Sequence, residues 1–165
     1  MRCSSCQSKR DLKKLSINYK YKACGLDNVV LLGVSVMRCE YCGEEYYNFG
    51  DIEKLHKKIA EILLTKSDLL TGKEIRFLRK NLGYSGAMFA HLIGYSHESL
   101  SRIENRAQKL TESFDRLVRF AVADKLPKNR NYDLHNLILN NSGQKLLKIE
   151  LIRTPSGDWK EKLVA

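Results

Sequence analysis

The sequence predicts an α+β chain: a small β-rich N-terminal unit, a central all-α unit of four to five helices, and a C-terminal β-hairpin-like extension. Three observations carry this prediction. Hydrophobic residues alternate at the strand period within residues 1–50, which also hold all five cysteines. At residue 51 the period becomes that of an amphipathic helix and stays helical to about 125. Beyond Pro127 alternation returns around a Thr-Pro-Ser-Gly turn.

In the N-terminal unit, Leu15, Ile17, Tyr19, Tyr21 and Ala23 take every second position. Gly25, Asp27 and Asn28 offer a turn before the β-branched run from Val29 to Val36, which Gly33 and Ser35 interrupt. Residues 51–69 predict a connecting helix and a linker. Asp51 is the N-cap, Ile52, Leu55, Ile59, Ile62 and Leu63 form one stripe, and Thr65 to Asp68 is a polar linker.

Residues 70–125 predict consecutive helices. Thr71 and Glu74 make a capping box, Ile75, Leu78 and Leu82 form a buried stripe, and Gly83 stops the helix. A second helix is expected over Ser85–Ile93 and a third over His97–Asn105. A fourth starts near Thr111, with Phe114, Leu117, Val118, Ala121 and Val122 on one face. In residues 126–165, Pro127 and the Asn-rich stretch from Lys128 to Tyr132 mark a break. Lys145 to Arg153 reads as a strand, Thr154 to Gly157 as a turn and Trp159 to Val164 as a returning strand. This hairpin either pairs across a dimer axis or caps the core.

The charge balance restricts the partners. Lys and Arg number 29 against 19 Asp and Glu, a net charge of +10, which suits a polyanion whose phosphates release counterions on binding. The excess is not a basic tail: basic against acidic residues number twelve to eight over 1–66, ten to seven over 67–125, and seven to four over 126–165. Any nucleic-acid-facing patch must therefore be assembled by folding. No apolar run follows Met1-Arg2-Cys3 as in a secretory signal, and no stretch is long enough to span a bilayer, so a cytoplasmic protein without membrane contact is expected.

Thiols in that compartment stay reduced, which favours metal over disulfide. Cys3-Ser4-Ser5-Cys6 and Cys39-Glu40-Tyr41-Cys42 are two CxxC knuckles, the second followed by Gly43. A tight knuckle supplies two thiolates, and two of them give the tetrahedral four-sulfur set of a structural zinc site with no open position. The strand-turn-strand pattern between them brings the second pair back to the first. Residues 1–50 thus predict a zinc ribbon with one structural Zn2+ held by Cys3, Cys6, Cys39 and Cys42. Cys24 is left as a free thiol, and His56 is read as a surface residue of its helix.

Residues 86–106 carry the second motif. Two short helices crossing steeply need a small residue at the crossing, Ala90, and a turn residue tolerant of positive φ, Gly94. Phe89, Ile93, Leu100 and Ile103 point inward, and Ser96 caps the second helix. His97, Glu98, Ser99, Ser101, Arg102 and Asn105 are left facing outward. This is the pattern of a helix-turn-helix that places its second helix in the major groove. Arg102 is the candidate base reader, Glu98 and Ser99 can address neighbouring base edges, and Ser101 lies on the same face. Ser85, His97, Arg106 and Lys109 are candidate backbone contacts. Glu104 is read as structural, pairing with Arg79 or satisfying helix ends.

With both motifs in this order, the chain resembles the MqsA-type antitoxins, regulators that join a zinc ribbon to an Xre-family helix-turn-helix. The resemblance covers roughly residues 1–122 through the two CxxC pairs, Leu70 to Arg79, Ala90-x-x-Ile93-Gly94 and Ser101 to Asn105. It implies structural zinc, neutralisation of a small RNase-type toxin by the ribbon, and a homodimer that represses its own operon from a palindromic operator. The family's DNA-reading Asn and Arg fall on Glu98 and Arg102. Gly86 stands where a Gln is usual, and Arg106 where a Gly follows Glu-Asn; the tail beyond Leu126 has no counterpart.

The reading is therefore a DNA-binding repressor and antitoxin. The alternatives are a stand-alone regulator with no toxin partner, or a zinc-ribbon protein associated with RNA. An enzyme is not expected, since no nucleophile–base pair, phosphate loop or open metal site is present.

Overall fold

The computed structural model describes residues 2–7, 12–126, 132, 134 and 147–162. Among the described residues, five helices and a five-stranded mixed sheet form an α+β fold. Strand β1 (Leu12–Lys20) and strand β2 (Val29–Cys39) form an antiparallel hairpin. Leu15, Ile17 and Tyr19 of β1 lie opposite Val36, Val34 and Leu31 of β2, so the alternating residues do line one face. The first strand begins earlier than its alternation predicts and ends at Lys20, because Tyr21 to Asn28 turn the corner and leave Ala23 exposed. Between Ile17 and Tyr19 the register shifts by one residue opposite Gly33, whose φ is 70°. That bulge changes which residues of β2 face inward, from Val29 and Leu31 to Val34 and Val36.

Strand β3 (Glu45–Asn48) extends the sheet beyond the second cysteine knuckle, pairing Val36 with Tyr47 and Met37 with Tyr46. Sequence alternation did not reveal it, since four residues are too few to show a period. Helix α1 (Ile52–Leu64) follows, capped by the Asp51 carboxylate accepting from the Lys54 amide at 3.0 Å. Its buried residues include Leu55, Ile59, Ala60, Ile62, Leu63 and Leu64. Ile52, expected in the stripe, is exposed because it occupies the first turn, beyond the packed surface.

The capping box predicted at Thr71 and Glu74 opens helix α2 (Gly72–Asn81). Helices α3 (Gly86–Leu92), α4 (His97–Glu104) and α5 (Glu112–Lys125) follow, each opened by a hydroxyl N-cap, Ser85, Ser96 and Thr111. On α5, Phe114, Val118 and Val122 are buried as expected, but Leu117 is exposed. Two charged residues, Asp115 and Arg119, are buried instead.

The stretch expected as a linker is packed. The Lys66 ammonium is buried against the Glu74 carboxylate at 2.9 Å and the Leu69 carbonyl at 3.2 Å. The Arg119 guanidinium donates to the carbonyls of Leu63, Leu64, Lys66 and Asp68 at 3.3, 2.8, 2.7 and 2.9 Å, while Asp115 holds Arg119 at 2.6 Å. The last carbonyls of a helix lack intrahelical partners, so α5 closes the C-terminus of α1 by this means.

Strand β4 (Ile149–Arg153) and strand β5 (Trp159–Glu161) form the expected hairpin around residues 154–157. It is not free-standing: β4 pairs in parallel with β2, Val29 opposite Ile149 and Leu31 opposite Leu151. The described strands thus extend the sheet of their own chain. The expected break from Pro127, the start of the tail strand at 145–146 and the end of the last strand beyond Lys162 lie outside the described residues. Buried residues of the sheet and of all five helices belong to one continuous core, and a small separate cluster of Cys3, Leu12 and Cys39 lies at the cysteine end.

Candidate functional site

The two knuckles converge. The Sγ atoms of Cys3, Cys6, Cys39 and Cys42 all lie within 4.8 Å of one another, with Cys3–Cys42 at 3.6 Å and Cys6–Cys39 at 3.7 Å. Bonds of about 2.3 Å to a tetrahedral ion place sulfurs roughly 3.8 Å apart, so the four thiols fit one metal ion. These separations are far too long for disulfide bonds. Each knuckle closes in the same way, the amide of the fourth residue after the first cysteine donating to that cysteine's carbonyl: Gln7 to Cys3 at 3.0 Å and Gly43 to Cys39 at 2.9 Å. Both residues adopt positive φ, 53° at Gln7 and 76° at Gly43. The sequence supplies glycine for this conformation in the second knuckle only.

Tyr46 was not singled out by sequence reasoning. Strand β3 carries its hydroxyl back to 3.3 Å from Cys3 Sγ, and the Ser4 amide donates to that hydroxyl at 3.0 Å. The Tyr46 hydroxyl, together with the Cys6 amide, draws the Cys3 thiol down to about 6, while Cys42, despite the Glu44 amide, is pushed up to about 12 by its hydrogen bonds with the other thiols and by burial, since adjacent thiols do not ionise together without a cation. Cys3 and Cys39 are buried and Cys42 is exposed, so the site lies at the rim of the sheet. Cys24 stands apart, its thiol donating to the Tyr21 carbonyl at 3.3 Å. His56 is half-buried rather than on the surface, packed on Tyr21 and Phe77 with Nε2 2.9 Å from the Tyr21 hydroxyl.

The α3–α4 corner has the expected interior. Phe89, Ala90, Ile93, Leu100 and Ile103 are all buried, and Gly94 turns the chain with φ of 71°, a conformation costly for any residue with a Cβ. Glu104 is buried and grips Arg79 at 2.7 Å and Arg76 at 3.0 Å, tying the end of α4 to α2. Burial raises the Glu104 carboxyl, but hydrogen bonds from Arg79 and Arg76 outweigh it and hold the group below the usual carboxylate range. Gly72 lies where α2 meets α4: a Cβ there would stand 2.5 Å from the carbonyl oxygens of Ile103 and Glu104.

The expected outward residues divide into two groups. His97, Glu98, Arg102, Arg106 and Lys109 are exposed. Ser99 and Ser101 are partly buried and internally engaged, Ser99 with the Ser96 cap and Ser101 with the Asn105 amide. Asn105 also accepts from Arg76 at 2.7 Å, so it braces α2 against α4. Ser85 is the N-cap of α3, its Oγ accepting from the Met88 amide at 3.2 Å. A Cβ on Gly86 would stand 2.9 Å from His97 Nε2, so the imidazole lies over the start of α3 where a larger residue would collide with it.

No protein-family model, curated protein or solved structure matches this chain. Among the described residues, no helix is long and apolar enough to cross a membrane.

Proposed function

We propose that the protein is a sequence-specific double-stranded-DNA-binding repressor that reads the major groove with α4, and that Cys3, Cys6, Cys39 and Cys42 hold one structural zinc ion. One observation carries the DNA reading. The α3–α4 corner buries Phe89, Ala90, Ile93, Leu100 and Ile103 while leaving His97, Glu98 and Arg102 exposed on one side of α4. A helix presented in this way, with a second helix crossing behind it, has the form that enters a groove about 12 Å wide. The net charge of +10 and the exposed Arg106 and Lys109 beyond the helix end supply the sequence-independent attraction. For the metal, four thiolates with no carboxylate or imidazole among them favour zinc, and a closed set assigns it a structural role.

Binding as a homodimer to a palindromic operator follows from the helix-turn-helix reading, because one small module makes few base contacts. An antitoxin role is implied by the resemblance to the MqsA-type regulators; co-purification from the native cell with a small, otherwise toxic protein tests it, and recovery without one favours the stand-alone regulator. The DNA reading is tested by Arg102→Ala on DNA selected by the wild-type protein. The loss expected is about 1–3 kcal/mol of affinity, with relaxed specificity at one base pair. Unchanged affinity and specificity in Arg102→Ala would refute α4 as the reading helix.

A further inference from the structure

Glu98 stands at the second position of α4, beyond the Ser96 cap, and its side chain is exposed. On a protein of net charge +10, an exposed carboxylate on the helix proposed to read DNA would be repelled by phosphate and would gain only from a donor on a base edge. Its own backbone amide, then the Ser96 hydroxyl, and at longer range the His97 and Arg102 side chains hold the carboxyl below the usual carboxylate range, so it is ionised and can only accept. Arg102 follows four residues later on the same face. Glu104 engages Arg76 and Arg79, and Arg102 stands outside that ion-pair network. An exposed acceptor and an exposed five-donor fork are thus set one helical turn apart.

Base edges in the major groove offer one pure donor, the cytosine N4 amino group, and one pure double acceptor, guanine O6 and N7. Adenine combines a donor with an acceptor, and thymine offers an acceptor and a methyl group, so neither matches a carboxylate alone. Four residues of helix rise about 6 Å, roughly two base-pair steps at about 3.4 Å each. Resting on the DNA-binding reading of α4, we propose that Glu98 determines specificity for cytosine, in a half-site where a cytosine lies one or two base-pair steps from the guanine read by Arg102.

The test is selection of binding sites from a randomised duplex pool by the full-length, zinc-loaded protein and by Glu98→Gln, Glu98→Ala and Arg102→Ala. Glutamine pairs with adenine N6 and N7, so Glu98→Gln should exchange cytosine for adenine at one position and keep the guanine read by Arg102. Glu98→Ala should leave that position degenerate, with discrimination there reduced about tenfold or more, while Arg102→Ala should lose only the guanine. A wild-type motif that responds to Arg102→Ala but keeps the same base in both Glu98 variants would overturn the inference and leave the DNA-binding reading standing. A wild-type protein that selects no motif at all would overturn both. Glu98 is exposed and Gln is close to isosteric with it, so the folded state should survive the change, as circular dichroism would verify.

Discussion

Arg106 takes φ of 62° at the end of α4, a region that glycine enters freely and a residue with a Cβ enters at a cost of roughly 1 kcal/mol or more. The turn after α4 is thus held by a residue that carries a Cβ, and its exposed guanidinium lies beside the proposed interface. Arg106→Gly should therefore stabilise the fold by about 0.5–1 kcal/mol, read from the denaturation midpoint. It should also lower the slope of log affinity against log salt by about one, as expected for one lost phosphate contact. An unchanged slope would show that Arg106 does not touch the backbone. Gly72 and Gly86 are different in kind. They matter for proximity, since a Cβ would meet the backbone of α4 at one and the His97 ring at the other.

At the scale of elements, the boundaries were legible wherever a side chain announces them. The Asp51 and Ser96 caps and the Thr71–Glu74 box were visible in the sequence because capping depends on a few adjacent residues, whereas the capping roles of Ser85 and Thr111 were not. Ala90 and Gly94 were visible too, since their requirements are steric and local. The packed linker and the charged interior of α5 were not, because a charged residue is read as solvent-facing until its partner is known. Arg119 and Asp115 are spaced four apart on α5, but the carbonyls they organise are more than fifty residues away. Arg119→Met should destabilise the protein by about 3–5 kcal/mol, since Asp115 would be left buried without its cation. Thermal or denaturant unfolding measures this, and a loss below about 1 kcal/mol would show that the network contributes little to stability.

Over the whole molecule, the α+β class and the meeting of the two cysteine pairs followed from period and spacing, whereas the closing of the sheet did not. Parallel pairing of β4 with β2 joins residues about 120 apart in the chain, and nothing local in Ile149 to Arg153 reveals which strand they will meet. The result is a single core reaching from β5 to α5, with the cysteine end as a satellite cluster. Metal removal should act mainly on that satellite. We expect about one zinc ion per chain, and chelation should expose the four thiols to a thiol reagent while most helical circular dichroism persists. Absence of metal from freshly reduced protein would contradict the zinc assignment.

The presentation of α4 to base edges is tested most directly by hydrogen exchange of the zinc-loaded protein with and without its selected duplex. Added duplex should slow exchange of amides in residues 85–106, and single-stranded RNA of the same length should not. Protection confined to the sheet, or produced equally by the RNA with α3 and α4 unaffected, would contradict recognition of DNA through this helix.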